Sequence, residues 1–324
     1  CLSRPCALVG AGRHADRAAR PLAISTLGAP LRTAHFILRT ILIAIVLLVI
    51  AARVNASTPD RLILFNRLVP NDAGAERVDT NLAFGEEPRQ QLDVYAPSDR
   101  DADAALPVIV FIHGGGWRAG DKAGYEFAGH AFSSRGFVTV IPNYRLSPDG
   151  HFPDFVEDGA AAIRWVRENI AERGGDPDRI IMVGHSAGAH IAGLLAMDES
   201  WLGEHRAAIA GWVGMAGPYD FLPLDSASTR GAFSRAPDLA ATQPINFAGE
   251  GDPPALLLHG SIDDTVAPRH SSGLAARLEA AGVPVRHIEY DGIGHIKIMT
   301  ALSRWTRSSV PSLADIEAFA REVR

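Results

Sequence analysis

Cysteine is almost missing from this chain. The 324 residues hold two, Cys1 and Cys6, and nothing after position 6 adds a third. That excludes disulfides, a cysteine nucleophile and thiolate zinc sites from the body of the protein. Lysine is equally scarce, with Lys122 and Lys297 alone. The balance of 31 basic and 37 acidic residues gives a formal net charge of −6, so there is no broad basic face to hold nucleic acid. No His-Glu-x-x-His pair occurs and the histidines are scattered, so neither a metal nor an organic cofactor is expected. Internal repeats and low-complexity linkers are also lacking. What is present is 47% hydrophobic and 21% charged, a globular composition that excludes disordered, collagen-like and coiled-coil chains. The length allows one large α/β domain or two ordinary ones.

The basic residues are unevenly spread. Residues 1–40 carry six arginines against one acid, Asp16, and an apolar run follows at 41–52. That run is 12 residues long, or 17 counted from Phe36 with Arg39 snorkelling. A spanning helix needs about 20 residues and a signal-peptide core about 7–15. We expect residues 1–56 to be a basic N-terminal segment with an apolar signal or anchor helix at about 36–52. A linker is expected at 57–75 and one folded domain over 76–324. A cleaved signal peptide and a retained membrane anchor both stay open, and a buried core helix is the bland alternative. Arginines ahead of the run would stay cytoplasmic, which places the domain outside the cytoplasm, exported or membrane-anchored.

From Arg77 onward the patterning is regular. Val78, Thr80, Leu82 and Phe84 alternate with polar residues, and Leu92, Val94 and Tyr95 follow a Gly-Glu-Glu-Pro turn. This predicts an antiparallel hairpin. Short apolar runs without alternation come next, at 108–112, 137–141, 180–183, 209–215, 255–258 and 285–290. Such runs suit strands buried on both faces of a parallel sheet. Helical spacing appears between them at 154–171, 187–197, 271–281 and 313–322, the first stopped by Gly174-Gly175. The class is therefore α/β, a doubly wound and mostly parallel sheet with an antiparallel N-terminal hairpin. Residues 218–253 have little periodicity and are expected to run over the active site.

Four segments carry chemistry. Gly184-His-Ser186-Ala-Gly188 sits between an apolar strand and an Ala-rich helix, the pattern of a nucleophile elbow in which the glycines let strand and helix approach around a strained serine. A Gly-rich turn binding phosphate is the bland reading. His113-Gly114-Gly115-Gly116-Trp117 ends a strand with three glycines whose N–H groups can turn toward an oxygen. Gly115 and Gly116, with Ala187 after the nucleophile, are the expected oxyanion donors, and Gly114 and Trp117 are the alternatives. His113 is expected to brace the loop. In the order Ser, acid, His, His295 in Asp-Gly-Ile-Gly-His295 is the base, because His270 opens a helix and His287 lies in a strand. The acid is expected in His259-Gly-Ser-Ile-Asp263-Asp264. Asp263 is preferred, with Asp264 as a turn cap and Asp220 as the outside candidate.

Together these segments resemble the α/β-hydrolase superfamily over about residues 76–324, in its esterase branches with a His-Gly-Gly-Gly oxyanion loop. Asn143-Tyr144-Arg145-Leu146-Ser-Pro148 is similar to the Tyr-Arg-Leu-Ala-Pro stretch of hormone-sensitive-lipase-like carboxylesterases. Gly-Gly-Asp-Pro-Asp-Arg-Ile before the elbow resembles isoprenylcysteine methylesterase-like and arylformamidase-like proteins. The resemblance implies an α/β-hydrolase fold without a large cap domain and a serine carboxylesterase acting on a small-molecule ester of short or medium acyl length. The triad would be Ser186, Asp263 and His295. An amidase, formamidase or peptidase uses the same parts, and a non-catalytic binding module is the non-enzymatic alternative. Trp117, Tyr144, Phe152 and Phe221 are candidates for the pocket wall or for the core. Asp158 is expected to meet helix N–H groups, and His185 and His190 to pack beside the elbow.

Overall fold

The computed structural model describes residues 58–101 and 103–323. The basic segment 1–56 and the expected signal or anchor helix at 36–52 lie outside the described residues. Among the described residues no helix is long and apolar enough to cross a membrane.

The apolar runs form one sheet. Its strands are β1 (Ala75–Ala83), β2 (Gln91–Pro97), β3 (Leu106–Ile112), β4 (Val138–Pro142), β5 (Gly175–His185), β6 (Ile209–Met215), β7 (Ala255–Gly260) and β8 (Val285–Tyr290). Their order is β1-β2-β4-β3-β5-β6-β7-β8. The pairs β1–β2 and β2–β4 are antiparallel and every other pair is parallel. Period-two geometry explains why the central strands read as unbroken apolar runs: alternate residues face opposite layers, and both layers are covered. In β3, Val108, Val110 and Ile112 join one core while Ile109 and Phe111 join the other. In β5, Ile180 and Met182 divide from Ile181 and Val183 in the same way.

Helices α1 (Thr58–Leu68), α2 (Glu126–Ser133), α3 (Asp154–Asn169), α4 (Ala187–Met197), α5 (Ala227–Phe233), α6 (Arg269–Ala280), α7 (Lys297–Thr300) and α8 (Ser312–Glu322) complete the described elements. The first core takes its helical side chains from α3, α4, α5 and α6, and the second takes them mainly from α2, α7 and α8. Helix α3 runs into a 3-10 turn that ends at Gly174, whose φ of 82° supplies the left-handed stop.

Two local expectations change. The hairpin forms, but β1 is an edge strand with register shifts between Arg77 and Asp79 and between Asp79 and Leu82. Its simple alternation is lost there: Thr80 is exposed and hydrogen-bonds Asp93, while Val78, Leu82 and Phe84 pack on the core. The stretch 57–75, expected to be a linker, carries α1. The Asn66 amide donates to the Ala123 carbonyl (3.1 Å), its oxygen accepts from Phe127 N–H (2.9 Å), and Phe65 meets Phe127 edge-on at 5.4 Å.

Candidate active site

Ser186 stands between the last residue of β5 and the first of α4 with φ 55° and ψ −120°. A positive φ on a residue with a Cβ costs about 1–3 kcal/mol and persists only where its surroundings fix it. They do so here. Ser186 N–H donates to Met215 O (2.8 Å), and Ser186 O accepts from Ala189 N–H (2.9 Å). The flanking glycines are required by contact: a Cβ on Gly184 would lie 2.3 Å from Gly188 O, and one on Gly188 would lie 2.1 Å from Ile112 O.

The structure brings together the three residues picked from sequence order. His295 Nε2 lies 2.9 Å from Ser186 Oγ, and His295 Nδ1 lies 2.7 Å from Asp263 Oδ2. With Nδ1–H donating to the carboxylate, Nε2 is left as an acceptor for the serine hydroxyl. Asp263 Oδ1 accepts from Thr265 N–H and Val266 N–H, both at 2.9 Å. Burial opposes the charge on Asp263. Hydrogen bonds from His259 and His295, the His295 charge and the Val266 N–H outweigh it and hold the carboxyl well below the usual range. Asp264 is exposed and touches Thr265, and Asp220 gives its backbone N–H to His270; neither contacts His295.

The His295 loop is fixed by its neighbours. His185 Nε2–H donates to the His295 carbonyl at 3.0 Å, and Ile262 N–H donates to Ile293 O at 3.2 Å. His185 is buried, which lowers it to about 3 and keeps it a neutral donor. His190 also braces the structure: its Nε2–H donates to Thr242 O at 2.8 Å.

After β3 the chain turns through Gly115 (φ 131°), Gly116 (φ 59°) and Trp117 (φ 57°). Gly115 O accepts from Arg118 and Ala119 N–H groups, which closes the turn. The amides of Gly115 and Gly116 donate no backbone hydrogen bond among the described residues, and that of Ala187 is an orphan of the first helical turn. Gly116 and Ser186 line one cavity. A Cβ on Gly114 would meet Ser186 Cβ at 3.1 Å, so the loop lies directly on the elbow. His113 braces it as expected, donating Nδ1–H to Gly114 O at 2.8 Å. Tyr144 stacks on His113 at 4.4 Å and donates its hydroxyl to His113 O.

The cavity beside Ser186 has a volume of about 490 Å³. Trp117 and Phe221 line it, as does the 218–229 part of the excursion. Tyr144 and Phe152 are buried in the core instead. Asp158 departs from expectation too. It accepts from Arg145 N–H at 2.7 Å, from the Arg145 guanidinium at 2.8 Å and from the Gln90 amide at 2.7 Å, rather than from helix N–H groups.

The sequence assigns no role to His259 and argues against His270 as the base. His259 is fully buried, with Nε2 3.3 Å from Asp263 Oδ2 and 2.9 Å from Val266 O, and with Nδ1 accepting from Ser271 Oγ at 2.7 Å. Its spacing of four residues before Asp263 was the available signal. His270 was set aside because it opens a helix; in the structure it lines the cavity. Among the described residues no group of three or more His, Cys, Asp or Glu could hold a metal ion.

Comparison with known proteins agrees with this architecture. A probable isoprenylcysteine alpha-carbonyl methylesterase of Arabidopsis thaliana is 31% identical over 240 residues, covering 66% of this chain and 50% of the relative. The chain thus spans about half the length of the curated relatives it matches. Among solved structures, a truncated carbohydrate esterase from gut microbiota aligns with a TM-score of 0.69 at 24% identity, covering 78% of this chain and 98% of that one. Esterase 2 of Thermogutta terrifontis, solved with butyrate bound, aligns with a TM-score of 0.63 at 25% identity, covering 77% and 94%. These neighbours share the α/β-hydrolase fold. The BD-FAE family model matches residues 92–278, more than half of the chain, and the chain belongs to that family.

Proposed function

We propose that the chain is a serine carboxylic-ester hydrolase that works through an acyl-enzyme on esters of short or medium acyl length. The observation that carries the reading is the hydrogen-bonded line Ser186–His295–Asp263, with Ser186 opening on a cavity. Ser186 Oγ attacks the ester carbonyl while His295 Nε2 takes the hydroxyl proton. Asp263 holds the imidazole in the Nδ1–H tautomer and stabilises the imidazolium. The oxyanion is met by the N–H groups of Gly115, Gly116 and Ala187, a fixed set of dipoles that needs no reorganisation at the moment of reaction. His295 then returns the proton to the leaving alcohol. Water, deprotonated by the same histidine, releases the acid and restores Ser186. The esterase names of the relatives and neighbours, and the butyrate bound by one of them, support an ester as the bond cleaved and a short acyl chain.

The test is Ser186→Ala on p-nitrophenyl butyrate. Turnover is expected to fall by at least about 10³-fold, with the melting temperature unchanged. A folded variant that retains near-wild-type turnover would sink the assignment.

A further inference from the structure

The proposed reaction uses one histidine, yet a second buried one faces the same cavity. His270 is 7% exposed and lines the space that Ser186 and Gly116 open onto. Its Nδ1 accepts the Asp220 backbone N–H at 3.2 Å. An imidazole that accepts at Nδ1 carries its proton at Nε2. That Nε2 is not among the buried atoms lacking a partner, and among the described residues no side chain or carbonyl bonds it. It therefore reaches the cavity as an open donor. Burial first, then the neighbouring charges of Arg269 and His259, lower His270 to about 4, so it stays neutral through the physiological range. A neutral ring held in one tautomer by a backbone amide differs from a mobile surface histidine. It is a fixed N–H directed at whatever fills the cavity.

The cavity lining is mixed: Trp117, Phe221 and Leu222 are apolar, while Asp225, Thr265, Arg269 and His270 are polar. Neither Asp225 nor Arg269 is in an ion pair among the described residues. Asp225, Thr265 and Arg269 are exposed and keep water as a partner, whereas a plain hydrocarbon ester would leave the Nε2–H of the buried His270 without one. Buried polar groups left unpaired are how a site rejects the wrong substrate.

We propose that His270 is a specificity-determining residue that donates Nε2–H to an oxygen of the substrate outside the scissile ester, and that the site takes oxygenated esters, with a hydroxyl or ether oxygen near the ester, over their all-carbon isosteres. The inference rests on the esterase reading and narrows it to a substrate class.

Two isosteric pairs test it on the full chain: p-nitrophenyl methoxyacetate against p-nitrophenyl butyrate, and 2-methoxyethyl butyrate against n-butyl butyrate. The first places the ether oxygen on the acyl side and the second on the alcohol side. The readout is each pair's ratio of kcat/KM, variant over wild type, which cancels the intrinsic reactivity of the esters. In His270→Leu the ratio is expected to fall by about five- to tenfold in one pair, the size of one lost neutral hydrogen bond. His270→Gln, whose amide N–H can stand near the Nε2 position, is expected to recover part of it. Ratios within twofold of wild type in both pairs, with turnover intact, overturn the role of His270 and leave the esterase reading standing. Failure of the folded wild-type chain to hydrolyse any of the four esters overturns both.

Discussion

Helix α4 contains two glycines whose replacement by alanine should have opposite effects. At Gly188 a Cβ would lie 2.1 Å from Ile112 O and 2.6 Å from His113 O. Both are backbone atoms, so no rotamer change relieves the clash. Reaching even a tight contact of 3.0–3.4 Å requires α4 and the end of β3 to separate by about 1 Å. Overpacking of this kind costs about 1–3 kcal/mol, and 1 kcal/mol moves the melting temperature of a domain this size by roughly 2–4 °C. Gly188→Ala should therefore melt about 3–10 °C lower. Because β3 leads into the loop of Gly115 and Gly116, a 1 Å shift also displaces these proposed oxyanion donors from Ser186. Misplacement on that scale costs about 10² in rate, so kcat should fall by about a hundredfold. At Gly193 the nearest atoms to a new Cβ are Pro244 Cβ and a Trp212 ring carbon, both at 3.5 Å, an ordinary contact. Alanine there removes the entropic cost of a mid-helix glycine, about 0.5–1 kcal/mol, and should raise the melting temperature by about 1–4 °C with kcat unchanged. The assays are thermal melts followed by circular dichroism and turnover of p-nitrophenyl butyrate. A Gly188→Ala protein with wild-type melting and turnover would refute the steric argument, and so would a Gly193→Ala protein as damaged as Gly188→Ala.

Two further outcomes follow from the site and its histidines. Asp263→Asn should lower kcat by about 10³–10⁴-fold by losing the tautomer and the imidazolium partner, while Asp264→Asn stays within about threefold; equal losses in both variants on p-nitrophenyl butyrate would contradict the assignment of the acid. Burial lowers His113 to about 4, His185 to about 3 and His190 to about 4, from an ordinary 6.5, so between about pH 4 and 6.5 the unfolded chain binds protons that the native chain does not. Their contribution to stability is complete above 6.5 and is lost as the pH falls toward 4; melting at pH 5 should show proton uptake and a lower melting temperature than at pH 7, and a melting temperature independent of pH across that window would refute it.

The parts legible in the sequence share a physical cause. The strands of the parallel region announce themselves because both faces are covered, so 108–112 and 180–183 have no polar positions to hide in. The turn at Ser186 and the Gly114–Gly116 loop are legible because their glycines answer to close backbone contacts. Helix α2 was not legible: it is short, and it carries Gly129, where a Cβ would lie 2.6 Å from the Tyr95 ring. Close packing there requires a residue that weakens the local helical signal. The partner of Asp158 was missed for another reason. Position near a helix start suggested N–H groups, but the fold delivers Arg145 from 13 residues earlier, with two hydrogen bonds at 2.7 and 2.8 Å. A charge-assisted pair of that geometry outcompetes a helix end. The tautomer of His270 likewise depends on Asp220, 50 residues away, which no local pattern encodes.

In the proposed reading, chemistry and selectivity sit on different kinds of structure. The residues of the proposed triad are held through backbone: Gly188 against Ile112 O, Gly260 where a Cβ would lie 2.1 Å from Ile293 O, and the His295 carbonyl tied to His185 Nε2. Each ties down one of the segments that carry Ser186, Asp263 and His295. Apart from Gly116, Trp117 and Ser186, the cavity wall comes from residues 218–229 and 264–270, where the backbone is mostly loop and the starts of helices. Exchanging those side chains can change what the cavity accepts without moving a strand. Polar groups retained in that wall that the proposed reaction does not use, His270 foremost, are thus best explained by the shape and chemistry of the ligand rather than by the stability of the fold.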